Sequence, residues 1–415
     1  MAQPVDAVAA LGVLGDSQVR KLWAATLAQS LAVWIAQIAL IVGVLEHHDG
    51  SSLAWVMLAS SLPALLAGLA AGTIVDRHDP RRVAQAAATA GVVLLVGSGF
   101  GLAHSLGAGT ACYALFLVVR GLSGPASIRV LYATVPPGQR TAGNAAIASV
   151  SGISTIAGAA IGGVGVAALG VVDCFALAAG IQGAAAVAFL LLAPPGKAPQ
   201  ASEARLGFRR SLVEGVTAVR GYPLAASIIL IGIAWGLIGG GYDVLIGLYG
   251  THVLRGGGGV ALGVLYAADG IGVLAGTILA PRLPRRHVRR SYALAYGLQG
   301  ALWAIFALGH NLLQAVPALL LMRVASGVII ALDTTLLLAT VPERLHGRLY
   351  AVHSTTYGTV GQVSLAITGI LLESASPRTV TVAAGMASIA AGAVWWLAIR
   401  GVSGADTEPD AARDG

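Results

Sequence analysis

An all-α, polytopic membrane fold is what this sequence predicts, and three observations predict it. Charge is too scarce for a water-soluble surface, long apolar stretches follow one another along the chain, and a basic hinge occurs twice. Hydrophobic residues make up 56% of the 415 positions and charged residues only 10%, against roughly 25% charged in soluble domains. Most of such a chain must face lipid. Its 56 glycines fit that solvent, because small residues let membrane helices approach closely where no hydrophobic effect drives them together. The same apolar content excludes a disordered low-complexity chain.

A helix that crosses a bilayer needs ~20 mostly apolar residues. Twelve stretches meet that requirement, at about 22–45, 53–75, 83–103, 109–134, 143–169, 171–193, 223–250, 260–280, 291–309, 314–341, 349–371 and 378–400. The division is an N-terminal six-helix bundle over 1–193, a linker over 194–222, a second six-helix bundle over 223–400, and a tail over 401–415. In the linker Phe208, Leu212, Val216 and Val219 recur at helical spacing among arginines, which predicts an amphipathic helix on the inner membrane surface. The tail, rich in Gly, Asp and Ala, reads as disordered. Residues 1–19 carry Asp6 and Asp16 and lack a basic region ahead of an apolar core, so the first span serves as the insertion signal.

Lys and Arg orient the chain. One set of connections holds Arg77, Arg81, Arg82, Arg140, the basic residues of 197–220, Arg282 to Arg290, Arg344 and Arg348; the opposite set holds Arg255 and Arg378. The basic side is expected to be cytoplasmic, with both termini there. The net charge of +7 is then topology, and nucleic acid drops out as a partner. Cys112 and Cys174 fall near outer ends of spans and read as unpaired thiols, a disulfide being the alternative.

The hinge runs Gly-Thr-Ile-Val-Asp-Arg-His-Asp-Pro-Arg-Arg from Gly72 to Arg82, and Gly276 to Arg286 is a near copy. Two further echoes keep register. Arg120 with Ser123-Gly124 and then Ala133-Thr134-Val135-Pro136 matches Arg323 with Ser326-Gly327 and then Ala339-Thr340-Val341-Pro342, and Leu102-Ala103-His104 matches Leu308-Gly309-His310. Matched elements share one membrane orientation, so the halves are parallel repeats. Gly72 is expected to let another helix pack against its backbone. Asp76 is expected to pair with a basic group or a helix N-terminus and hold one conformer. Arg77, Arg81 and Arg82 read either as part of that gate or as orientation anchors. In the second copy Ala280 replaces the acid.

Charges inside spans cost several kcal/mol and are tolerated only beside a cavity or a partner. Arg120, Asp243, Asp269, Arg323 and Asp333 qualify. Arg323, Ser326 and Asp333 fall within an arc of ~80° at 100° per residue. Ser30, Trp34 and Gln37 stripe the first span, Trp235 and Tyr242 the seventh, and Tyr350, His353, Tyr357 and Ser364 the eleventh. A membrane-embedded Asp suits proton coupling, because its ionisation changes between wet and dry surroundings. Asp269 is the first candidate, followed by Asp243 and Asp333; a static salt bridge to Arg323 or Arg120 is the competing reading. His353 is either a proton relay or a packing histidine. His47-His48, beside Glu46 and Asp49, reads as a solvated outer loop, with no metal or cofactor expected. Gly256 to Gly259 lacks the strand and helix of a phosphate-binding turn, and no Walker sequence occurs. An enzyme and an ATP-driven pump are both excluded.

Six plus six spans with a basic hinge after the second resemble the major facilitator superfamily, over about 22–400. Gly72, Asp76, Arg77, Arg81 and Arg82 match its loop signature, and Arg120 with Gly124 resembles its motif in the fourth span. Gly158, Gly162 and Gly163 resemble its glycine-rich antiporter motif, with Ala159 and Ser154 standing where Pro and Gly are the rule. Within the superfamily the chain is similar to bacterial drug or siderophore exporters. The resemblance implies a monomeric secondary transporter of the bacterial cytoplasmic membrane, exporting small amphipathic molecules by proton antiport with alternating access. It also implies that spans one, four, seven and ten line the cavity. A proton-coupled uptake symporter and a non-transporting membrane receptor are the alternatives.

Overall fold

The computed structural model describes residues 12–193, 217, 219, 221–255, 257–339 and 341–400. The expected linker helix and the tail lie outside the described residues. Regular structure in the rest is helical throughout. Six helical segments precede the linker as spans: α1 (Ser17–Leu45), α2 (Gly50–Arg77), α3 (Pro80–His104), α4 (Leu106–Arg120) continued by α5 (Ser123–Thr134), α6 (Arg140–Leu169) and α7 (Val171–Leu190). Six follow it: α8 (Pro223–Gly239) continued by α9 (Tyr242–Leu248), α10 (Gly259–Leu279), α11 (Val288–Ala307), α12 (Leu312–Ala339), α13 (Glu343–Leu372) and α14 (Pro377–Ile399). Ten of these twelve are long and apolar enough to cross a membrane. The other two, α11 and α13, carry a heavier polar load, including Arg289, Arg290, Arg348 and His353.

The boundaries follow local chemistry. Asp16 caps α1 by accepting from the amides of Gln18 and Val19, and Asp49 caps α2 through Ser52. Asp79 and Ser376 cap α3 and α14, each ahead of a proline at the first helical position, where a missing N–H costs nothing. Between α6 and α7, Gly170 takes φ 84° and ψ 174°, a backbone geometry essentially reserved for glycine. The chain therefore reverses there with no loop.

Two expected single helices are broken. The fourth span stops at Arg120 and resumes at Ser123, because Pro125 cannot donate to the carbonyl of Gly121 four residues back. The seventh span breaks at Gly240 and Gly241, in a run of three glycines, each costing about 1 kcal/mol in a helix interior. It then closes in a π-helical turn over Tyr249–Val253.

The chain separates into two compact units. The first comprises residues 1–202 with 246–267, and the second residues 203–245 with 268–415. Leu22, Val75, Ala88, Val130, Leu131 and Phe189 are central to one core of the first; Ile228, Tyr292, Tyr296, Ile329, Leu337 and Trp395 are central to the second. Outward-facing side chains are themselves apolar, with Val93 70% and Val394 65% exposed, as a lipid solvent requires. Cys112 and Cys174 are free thiols, Cys174 fully buried with its Sγ 3.7 Å from the Gly162 carbonyl.

Candidate substrate and proton sites

Three helices of the first unit wall a cavity of about 180 Å³. From α1 come Thr26, Ser30, Val33 and Trp34, which share one face; from α6 come Ile147, Val150, Ser151 and Ser154. Arg120, the last residue of α4, completes the wall. The helix break beside it is fastened to α1 by a buried hydrogen bond in which Gln29 donates to Ser123 Oγ at 3.0 Å. Ser30, Trp34 and Arg120, all expected from sequence, are thus brought together, and Trp34 rests edge-on against Tyr266 at 5.5 Å. Gln37 is partly buried farther along α1 and does not line this cavity.

The charge balance of this wall is one-sided. Arg120 Nε is buried without a hydrogen-bond partner, and among the described residues no carboxylate lines the cavity.

The second unit contains two acid clusters. In one, Asp269 on α10 is ion-paired with Arg323 Nε on α12 and accepts from the Tyr242 hydroxyl at 3.2 Å. The guanidinium of Arg323 also lies 4.8 Å over the Tyr242 ring, a cation–π contact, and Tyr242 packs against Trp303. Side-chain exposure is 8% for Asp269 and 18% for Arg323, so the pair is largely desolvated. Asp243, partly buried beside Tyr242, lies within electrostatic reach of Arg323. In the other cluster, Asp333 accepts from the Tyr292 hydroxyl at 2.5 Å and meets His353 Nε2 at 2.7 Å. Trp235 stacks on Tyr357 at 5.3 Å in the same unit.

Ser326 departs from expectation. It is fully buried and donates to Gln299 at 2.9 Å, so it belongs to the packing of α12 on α11 and not to a cavity wall. Tyr292, Gln299 and Gln29 escaped sequence reasoning. Each is a polar residue inside an apolar span, which was the available signal.

Against known sequences, the profile of the Major Facilitator Superfamily matches residues 22–364. The chain belongs to the Major Facilitator Superfamily. No curated protein matches this facilitator, but many solved structures share its fold. An auto-inhibited POT family peptide transporter aligns with a TM-score of 0.74 at 11% identity, covering 96% of this chain and 99% of that one. The nucleoside transporter NupG gives 0.70 at 12%, covering 94% and 100%. A bacterial homologue of the human lysosomal transporter Spinster, in an inward-facing and unoccupied conformation, gives 0.71 at 14%, covering 93% and 98%. At these identities the likeness concerns fold.

The facilitator hinge is held together by a residue that sequence reading passed over. Arg129, on α5, donates to Asp76 at 3.1 Å and to the Val75 carbonyl at 2.7 Å. It was hidden inside the predicted fourth span, five residues from that helix's inner end. Arg81 reaches the Phe189 carbonyl at 3.3 Å and also the Leu190 carbonyl, in the last turn of α7, where a cation is favoured. Arg82 lies near Asp79 at 3.8 Å on the surface, and Arg77 is exposed. Gly72 corrects the expectation made for it. A side chain built there meets nothing within 4 Å, and Gly124 is equally open. The close approach occurs in the second copy, where a Cβ on Gly276 would stand 2.9 Å from Gly327 Cα.

Crowding is real at the glycine-rich motif of α6. A Cβ on Gly158 would sit 2.7 Å from Trp34 Cβ, one on Gly162 3.0 Å from Ile35 Cα, and one on Gly163 2.9 Å from Gly263 Cα. This surface therefore seats α1 and the start of α10, both within the first unit, and its glycines set the depth of the Trp34 wall.

Proposed function

We propose that this facilitator is a proton-coupled antiporter that exports small amphipathic molecules from the cytoplasm of a bacterial cell. The observation that carries the reading is the pair of largely buried acid clusters in the second unit, Asp269 with Arg323 and Tyr242, and Asp333 with His353 and Tyr292. A proton arriving on Asp269 removes the negative half of its ion pair. Arg323 is left as a buried cation over the Tyr242 ring, and a buried charge stripped of its partner favours any arrangement that re-solvates or re-pairs it. The Asp333–His353 contact offers a second acceptor, since either member can hold the proton. Small-molecule cargo, protons and the bilayer are then the partners, in an arrangement of two six-helix bundles over 1–193 and 223–400 with both termini inside. Alternating access places cargo release and proton uptake on the outer face, and cargo loading and proton release on the inner one.

Proteoliposomes test it. With an inside-acid gradient an antiporter accumulates fluorescent amphiphiles, and with an outside-acid gradient it does not. The reverse pattern identifies an uptake symporter, and absence of gradient-linked flux in both identifies a non-transporting protein.

A further inference from the structure

Arg120 places a guanidinium in the wall of the first-unit cavity. We propose that this cavity receives an organic oxyanion, a carboxylate, phosphonate or phosphate carried on a small apolar body. The inference rests on the transport reading above and names its substrate class.

Three observations carry it. First, the guanidinium faces a cavity whose walls contain no carboxylate, and its Nε is sealed in without an acceptor. Arginine stays charged at any attainable pH and presents five donors in a planar fork that matches an oxyanion. A cation so placed in a membrane protein is costly until an anion reaches it. The arginines of the second unit's polar cluster and of the hinge are treated differently, since Arg323 has Asp269 and Arg129 has Asp76. Second, the wall offers the Ser30 and Ser151 hydroxyls to an oxyanion's remaining lone pairs, while those of Thr26 and Ser154 donate to the Leu22 and Ser151 carbonyls. Third, Trp34 and Val33 give an apolar flank beside the cation. The volume of about 180 Å³ is below the ~300–1,000 Å³ usual for drug-sized sites. It suits an anionic head group and one ring or short chain, not a bulky molecule.

The test needs no gradient, so it separates this proposal from the proposed coupling. The purified full chain in nanodiscs is titrated with 1-naphthoate, phenylphosphonate, neutral 1-naphthamide and cationic 1-naphthylmethylammonium, with binding read by calorimetry. The two oxyanions should bind roughly tenfold or more tightly than the amide or the cation. Arg120→Gln should bring oxyanion affinity down to that of the amide measured on the same variant, and Arg120→Lys should retain part of the preference as a point charge. The wild-type ranking alone suffices should Arg120→Gln not fold. Charge-blind binding, tighter binding of the cation, unchanged oxyanion affinity in Arg120→Gln, or no oxyanion binding at millimolar concentration each overturns the proposal. Gradient-linked flux of neutral cargo beside charge-blind binding would sink this inference and spare the transport reading. Selective oxyanion binding without such flux would do the opposite.

Discussion

Asp269 and Arg323 hold each other in a nearly dry setting, so removing one charge leaves the other stranded, at a cost of about 3–5 kcal/mol. Asp269→Asn should lower the thermal unfolding temperature in detergent and cut gradient-driven flux at least tenfold, while cargo exchange without a gradient persists. Intact gradient-driven flux in a folded Asp269→Asn protein would remove Asp269 from the coupling scheme. At the other extreme is Asp49, outside the spans. Hydrogen bonds from the Ser52 amide and side chain hold its carboxyl below the ordinary aspartate range. Its folded-state pKa is depressed, so the cap stabilises above the unfolded value, and that stability drains away as pH falls through the folded one. Asp49→Ala should therefore cost about 1 kcal/mol at neutral pH, and the gap from wild type should vanish in strong acid, as thermal unfolding across pH would reveal. Residue types inside spans were readable in the sequence as costly charges needing partners. Which partner each had was not, because Asp269 and Arg323 are far apart along the chain and only packing joins α10 to α12.

Glycine distribution decides how closely the elements meet. α8 and the break that follows it present Gly232, Gly236, Gly240 and Gly241 to α13, where added Cβ atoms would crowd His353, Tyr357, Ser364 and Thr368 in turn. Four-residue spacing seats α8 on α13 at short range, the packing that van der Waals contact rewards in lipid. In the first unit the same logic separates two glycines that both belong to recognised motifs. Gly163→Val should cost about 1–3 kcal/mol by overpacking against Gly259 and Gly263, whereas Gly72→Ala should be neutral or stabilising by up to about 1 kcal/mol. Thermal unfolding of the two variants side by side checks this, and equal losses would refute the distinction. Span lengths were legible because a bilayer demands ~20 apolar residues. The helix breaks were written in Pro125 and in the triple glycine at 239–241, yet a hydropathy reading averages over both. No periodicity distinguishes an open Gly72 from a crowded Gly276, since that depends on which helix lies opposite.

For the molecule as a whole, the asymmetry of arginines predicts sidedness. In a cysteine-free background, His47→Cys should react with a membrane-impermeant maleimide applied to intact cells, and His78→Cys should react only after permeabilisation. The opposite labelling pattern would invert the export direction. The duplicated plan was legible because three echoes stand in register, yet the copies have diverged in use: the first retains the acid at the hinge that Arg129 grips, and the second retains the tight glycine contact. Such divergence is invisible to motif matching, which scores residues and not their neighbours. One consequence concerns heredity. The walls around Arg120 come from α1, α4 and α6, whereas Asp269 and Asp333 draw their company from α9 to α13. On the proposed assignment, mutations at Ser30, Trp34 or Ser151 retune which metabolite a descendant carries while its power supply is inherited untouched, so new cargoes can evolve without re-inventing the engine.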